Sequence, residues 1–216
     1  MTWGNSEPKK SHGSLKRRHA LNMPWLALLM LPGLTACTGE GLPILGPLPF
    51  NFHVVDEGRA YRSAQPTGDQ LTAVISQFGI KTVVNLRGAN PGESWYDTEA
   101  AVCEAMQVTL ANHRLSSQDL PPPEVLAAVI DTFKTAEYPI LIHCQGGAER
   151  TGMMSAVYRM AILGQDRTAA MAELTPEYFY FRELKPCMAT LVEMFEPTDQ
   201  WLQQYAANYD SLTCTP

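Results

Sequence analysis

Two amphipathic stripes set among continuous apolar runs restrict this chain to few architectures. Leu71, Val74, Ile75 and Phe78 recur at i, i+3, i+4 and i+7, with Gly79 behind them, which predicts a helix with one buried face and a stop. Leu126, Val129, Ile130 and Phe133 repeat the stripe after Pro121, Pro122 and Pro123, and prolines suit a helix start. Among these lie "IKTVVNLR", "VTLANHR" and "YPILIHC", runs rich in β-branched and apolar residues that predict strands. A further helix is expected from about Trp95 to Met106 after the loop "GANPGES", and "FHVVDEGRAYRSAQP" predicts two short strands around a turn at Glu57-Gly58. Strand and helix alternate, so the expected fold is α/β: a mostly parallel central sheet flanked by helices on both faces. From Arg150 on the chain reads almost wholly helical, with Met188, Leu191, Val192 and Phe195 as one more stripe.

With 216 residues there is room for one compact domain. The net charge is −6, yet Lys9, Lys10, Lys16, Arg17 and Arg18 cluster near the start with only Glu7 against them. The remaining body is distinctly acidic, which argues against a nucleic-acid partner. The apolar stretch from about Leu21 to Leu34 carries two prolines and is shorter than the roughly 20 residues of a spanning helix, as in the hydrophobic region of a signal peptide. Leu34-Thr35-Ala36-Cys37 resembles the lipobox of bacterial lipoproteins. That resemblance implies a signal peptide over residues 1–36, lipid on Cys37 and membrane attachment. Thr38, not aspartate, follows the cysteine, which in a Gram-negative envelope implies the outer membrane, facing the periplasm. An ordinary signal peptide or a buried first helix is the alternative. Residues 37–50 are rich in Gly and Pro and read as a tether; the domain is expected over 51–216.

Cys103, Cys144, Cys187 and Cys214 remain in the body. A bridge between Cys187 and Cys214 is conceivable in an exported chain, and Cys103 reads as a small core residue or, in an oxidising compartment, a redox partner of a reactive thiol. Cys144 is different, because it ends an apolar strand and opens "CQGGAERTG". Gly146 and Gly147 permit a tight loop whose N–H groups turn inward as an anion cradle, and a helix beginning near Arg150 adds its dipole. Such surroundings lower a thiol pKa from about 8.5 toward about 3.5–7.5. A thiolate in a phosphate-shaped cradle, with a guanidinium able to grip two oxygens, suits attack on a phosphomonoester.

His143, Cys144, Arg150, Thr151 and Gly152 fit H-C-x5-R-[ST]-G, and with "YRSAQP" and "VVNLR" the chain resembles, over roughly Phe52 to Leu163, the bacterial branch of the cysteine-dependent dual-specificity and tyrosine phosphatases. The resemblance implies that Cys144 is the nucleophile, that Arg150 and the loop residues Gln145, Gly146, Gly147, Ala148 and Glu149 bind the phosphate, and that Thr151 hydrogen-bonds the sulfur. His143 would orient the loop and tune the thiol. For the general acid it points to Asp119, in the loop "RLSSQDLPPPE" 25 residues before Cys144; Glu149 competes, Glu124 is a weaker third choice, and a helix-capping Asp119 is the bland alternative.

Arg87 and Asn85 follow a strand and would lie beside the pocket or be held by backbone carbonyls. His53, His113 and Arg62 are assigned only packing or loop bonding. No metal or cofactor is implied, since the histidines lack metal-ligand spacing with the cysteines. The loop holds no Lys or Arg before Arg150, which favours a single phosphate: phosphotyrosine on a protein, or a small phosphomonoester. A silent phosphate-binding envelope lipoprotein and a thiol enzyme of rhodanese or arsenate reductase type are the rival readings.

Overall fold

The computed structural model describes residues 51–214; the signal-peptide and tether expectations, Cys37 included, lie outside them. Strands β1 (His53–Asp56), β2 (Ala60–Ser63), β3 (Thr82–Asn85), β4 (Thr109–Asn112) and β5 (Ile140–His143) form one sheet in the order β1-β2-β5-β3-β4. β1 pairs antiparallel with β2, and every other pairing is parallel. Helices α1 (Gly68–Phe78), α2 (Ser94–Ala105), α3 (Pro123–Thr135), α4 (Glu149–Ala161), α5 (Arg167–Met171), α6 (Pro186–Met194) and α7 (Asp199–Asn208) cover it.

Side chains alternate across a strand, and β5 shows the result. Leu141 joins Tyr61, Leu71, Val74, Ile75, Val83 and Cys103 in one apolar layer, under α1 and α2. Ile140 and Ile142 join the opposite layer, filled by α3, α4, α6 and α7. α4 is buried on nearly every side, Thr151 through Tyr158 without a break, as expected of a helix enclosed by other elements. The predicted stripes lie where the periodicity put them: Leu71, Val74 and Ile75 on α1, and Leu126, Val129, Ile130 and Phe133 on α3, are buried. Gly79 caps α1 at φ 65°, a left-handed conformation that glycine adopts readily.

One expected strand lies at the sheet edge, and one expectation shifts. "VTLANHR" supplies only an edge strand, half-exposed, because β4 has a neighbour on one side alone. The C-terminal part is interrupted by a turn between the 3-10 turn Pro176–Tyr178 and α6, where Phe179 takes a positive φ of 62°. Among the described residues no helix is long and apolar enough to cross a membrane.

β5 lies between β2 and β3, and the chain places α1 on one face between β2 and β3 but α3 on the other between β4 and β5. A strand order that reverses in this way leaves a crevice beyond the carboxyl ends of the strands. Cys144 follows β5 directly, at that crevice.

Candidate active site

The loop from Cys144 to Ala148 joins β5 to α4. Its carbonyls are taken up one after another by groups outside it. His143 Nδ1 lies 3.3 Å from the Cys144 oxygen, the Gln65 N–H donates to the Gln145 oxygen at 3.1 Å, Asn51 Nδ2 to the Gly146 oxygen at 3.2 Å, and Arg62 Nη2 to the Gly147 oxygen at 2.7 Å. In a planar trans peptide the N–H points opposite to the C=O. Holding these oxygens outward therefore turns the N–H groups of Gln145, Gly146, Gly147 and Ala148 toward the loop's interior, an anion-binding nest at the N-terminus of α4.

The glycine at 147 is obligatory, with φ at 68° and a Cβ there falling 2.6 Å from the Ala64 nitrogen. Gly152, one turn into α4, lies so close to the segment that follows α5 that a Cβ would meet the Glu173 carbonyl oxygen at 2.7 Å.

Cys144 is fully buried and free. Arg150 is half-buried in the first turn of α4, and its Nη1 reaches the Leu115 carbonyl at 3.4 Å, a long contact. Its Nε and the buried Thr151 hydroxyl have no hydrogen-bond partner among the described residues. Buried polar groups are ordinarily paired, and these two lie on the residues expected to hold phosphate and sulfur. Gln145 and Gly146 form the exposed rim of the loop, Gly147 and Ala148 are buried, and Glu149 is half-buried at the start of α4.

Asp119 is exposed, and its carboxylate accepts a bond from the Ser116 hydroxyl at 2.8 Å. The carboxylate does not cap α3, whose N-terminus at Pro122 has no side-chain cap. The loop around it is fixed from the C-terminal part: the Tyr205 hydroxyl donates to the Pro121 oxygen at 2.7 Å and that of Tyr209 to the Leu120 oxygen at 2.9 Å. Glu124 is exposed in the first turn of α3.

Arg62 does far more than packing. It is fully buried, gives Nη1 to both the Glu173 carbonyl and its carboxylate, lies 4.0 Å over the Tyr178 ring, and holds Gly147. Glu173, itself buried, also takes Arg159 at 2.5 Å. Arg87 stacks 3.4 Å over the Trp95 ring and gives Nη1 to the Gln65 side-chain oxygen, so its own side chain meets neither backbone carbonyl nor carboxylate in these contacts. Burial, and then the neighbouring Arg150 charge, pushes its pKa down. Asn85 is scaffold, donating to the Gly88 carbonyl and Asn112 and accepting the Arg87 N–H. His53 contacts the Tyr178 ring edge-on and Asn51, and His113 contacts Thr132.

Cys187 and Cys214 form a disulfide. Cys103 lies in the apolar layer opposite the one that holds Cys144, and burial, helped by Glu99, pushes its thiol up to about 12. A thiol so reluctant to ionise is a poor redox partner.

Sequence reasoning assigned no role to Asn51, Gln65 or Glu99 and understated Arg62. Arg62 leaves a trace as a charged residue inside a predicted strand, and Gln65 only as part of "YRSAQP". The others act through long-range contacts that no local pattern encodes.

Residues 51–185 match a family model described as DSP-PTPase phosphatase fused to NAD+ kinase. The dual specificity protein phosphatase TpbA of Pseudomonas aeruginosa strain UCBPP-PA14 is 34% identical over 116 residues, 53% of this chain and 49% of that protein. This chain thus spans about half the length of the curated relatives it matches. The crystal structure of P. aeruginosa TpbA superposes with a TM-score of 0.54 at 23% identity, covering 74% of this chain and 92% of that one. The core catalytic domain of the PP-IP phosphatase SIW14 from S. cerevisiae gives 0.56 at 19%, covering 78% and 98%. These structures share the fold, and the match over more than half the sequence establishes that this chain belongs to the DSP-PTPase family of phosphatases.

Proposed function

We propose that this chain is a cysteine-dependent phosphomonoester hydrolase. The observation that carries the reading is the outward capture of each carbonyl from Cys144 to Gly147, which aims consecutive N–H groups at one point above the nucleophile's strand. Donors fixed in this way before substrate arrives stabilise the charge of the transferring phosphoryl group without reorganisation. Cys144 Sγ attacks phosphorus as the bond to the leaving oxygen breaks, and that oxygen takes a proton from Asp119. Water then attacks the phosphocysteine, its proton passing to the Asp119 carboxylate, while the Thr151 hydroxyl donates to the departing sulfur. Arg150 grips two phosphoryl oxygens.

The favoured substrate is phosphotyrosine on a protein, with a small phosphomonoester as the other case. A cysteine-to-serine variant of TpbA is known in complex with phosphotyrosine, and the loop here has no cation before Arg150 to meet a second phosphate. The lipobox-like Leu34-Thr35-Ala36-Cys37 supports attachment to the envelope through lipid on Cys37, with the domain facing the periplasm.

Steady-state hydrolysis of para-nitrophenyl phosphate and of phosphotyrosyl, phosphoseryl and phosphothreonyl peptides, in reductant and chelator, tests the reading. Phosphate release from the tyrosyl peptide is expected; phosphate binding without release from any substrate would overturn it. Incorporation of labelled fatty acid, absent in Cys37→Ser, tests the anchor.

A further inference from the structure

Glu99 is a carboxylate with 1% of its surface exposed, in the middle of α2 and one turn before Cys103. Burying a carboxylate costs several kcal/mol unless it is paired, and nothing in the reaction above uses it. Its Oε1 receives the Gln65 side-chain amide at 3.2 Å and lies 2.8 Å from Nε2 of the fully buried His143. That second contact is off the axis of an aligned hydrogen bond, and neither His143 Nε2 nor Glu99 Oε2 has a hydrogen-bond partner among the described residues.

One proton can be placed. A carbonyl only accepts, so a bond between His143 Nδ1 and the Cys144 oxygen requires the hydrogen on Nδ1. At 2.8 Å Nε2 and Glu99 Oε1 are within ion-pair distance, although the contact is not aligned as a hydrogen bond. Nδ1 is thus bonded to the loop while the far edge of the ring rests against the carboxylate, and the two contacts together hold the ring. It in turn fixes the Cys144–Gln145 peptide, whose N–H is the first of the cradle.

The next peptide is held from the same source. Gln65 gives its backbone N–H to the Gln145 oxygen and its side-chain amide to Glu99, while Arg87 on Trp95 holds its side-chain oxygen. We infer that Glu99 is a positioning residue for the nucleophile loop, setting the peptides on both sides of Gln145 through His143 and Gln65. The inference rests on the phosphatase reading of that loop.

An amide at position 99 cannot keep both links. Its nitrogen in the place of Oε1 would donate to His143 but confront the Gln65 amide; its oxygen there would accept from Gln65 but, uncharged, would hold the edge of the His143 ring less firmly. Gln65→Glu beside Glu99→Gln restores both, because the new amide then donates to the ring and to the new carboxylate.

The test uses the full chain in detergent, with calorimetric binding of inorganic phosphate and steady-state hydrolysis of para-nitrophenyl phosphate. Glu99→Gln is expected to keep its melting profile, bind phosphate about tenfold more weakly and lose about tenfold in kcat/KM, since small misplacements of a catalytic group are costly; the double variant recovers both. A folded Glu99→Gln protein with unchanged phosphate affinity and kcat/KM overturns the inference. So does equal loss in the single and double variants, which marks Glu99 as packing alone. Should Glu99→Gln fail to fold, Gln65→Leu, half-buried and outside the helix, breaks the same chain and carries the same expectation. Weaker phosphate binding in Glu99→Gln, beside a wild-type chain that binds phosphate but does not turn over, would sustain this inference while removing the phosphatase reading.

Discussion

The loop after β5 and the loop that carries Asp119 are held in opposite ways. The nucleophile loop is gripped from four directions, by Asn51 at the start of the domain, by Arg62 from β2, by Gln65 after it, and by His143 with Glu99 behind it. Arg62 and Glu99 among them are buried ionisable groups. The loop carrying Asp119 has a surface bond from Ser116, a long contact from Arg150, and two tyrosine hydroxyls from the C-terminal segment. Those tyrosines lie beyond residue 185, where the family match ends. The proposed phosphate loop is thus held by residues of the sheet and its flanks, whereas the loop of Asp119, the proposed acid, is held by a segment beyond the family match that the Cys187–Cys214 disulfide ties down. Positioning that must precede substrate is rigid; a group that acts on a leaving oxygen can be left adjustable.

The sharpest separation of the two comes from Cys144→Ser. Turnover should fall by on the order of 10⁴-fold or more, while calorimetry still shows phosphate binding, because the outward-held carbonyls are untouched. Asp119→Asn should reduce kcat by about 10²–10⁴-fold on phosphotyrosyl peptide, with less loss on para-nitrophenyl phosphate, whose leaving group needs little protonation. Phosphate affinity unchanged in this variant supports the division between loops; a large change in affinity breaks it.

Arg62→Met probes the rigid side. It removes the bond to Gly147 and leaves buried Glu173 with Arg159 alone, and breaking such a pair costs about 3–5 kcal/mol. Urea denaturation reads the stability, and phosphate binding should weaken in the same variant. A stable Arg62→Met protein with normal phosphate affinity would show that the loop does not depend on its outer contacts.

What could be read from sequence follows the same division. The strand ending in Cys144, the two glycines and the helix opening at Arg150 are local in the chain, so periodicity and spacing exposed them. The groups that aim the loop come from positions 51, 62, 65 and 99 and meet only once the sheet has formed. Glu99 lies on a helix whose apolar pattern is weak, and a glutamate there reads as a solvated face until its burial is known. Asp119 was legible as a loop aspartate, but the tyrosines holding that loop are more than 80 residues away, and nothing in "QQYAANYD" announces their target.

Tyr209→Phe measures the hold on the acid side. Losing one hydroxyl bond to Leu120 should lower stability by about 1 kcal/mol, reduce kcat a few-fold and leave phosphate affinity alone. Weakened phosphate binding would mean that the C-terminal segment supports both loops.

The smallest effect concerns pH and the root of the acid loop. His113 lies two residues before Leu115, bonds Asn85 through its N–H and Thr132 through its ring, and burial lowers its pKa from 6.5. A base that is harder to protonate when folded leaves the unfolded chain binding more protons as pH falls, so its contribution is intact above about 6.5 and is lost progressively below it. Acidification from pH 7.5 to 5 should therefore lower the protection factors, each taken against the intrinsic exchange rate at that pH, across residues 113–120, while those across residues 145–151 do not change. His113→Gln, which keeps a partner for Thr132 but does not titrate, should flatten that response. Equal loosening of both segments in wild type would indicate that the two loops open as one unit, and the difference in how they are held would then have no dynamic consequence.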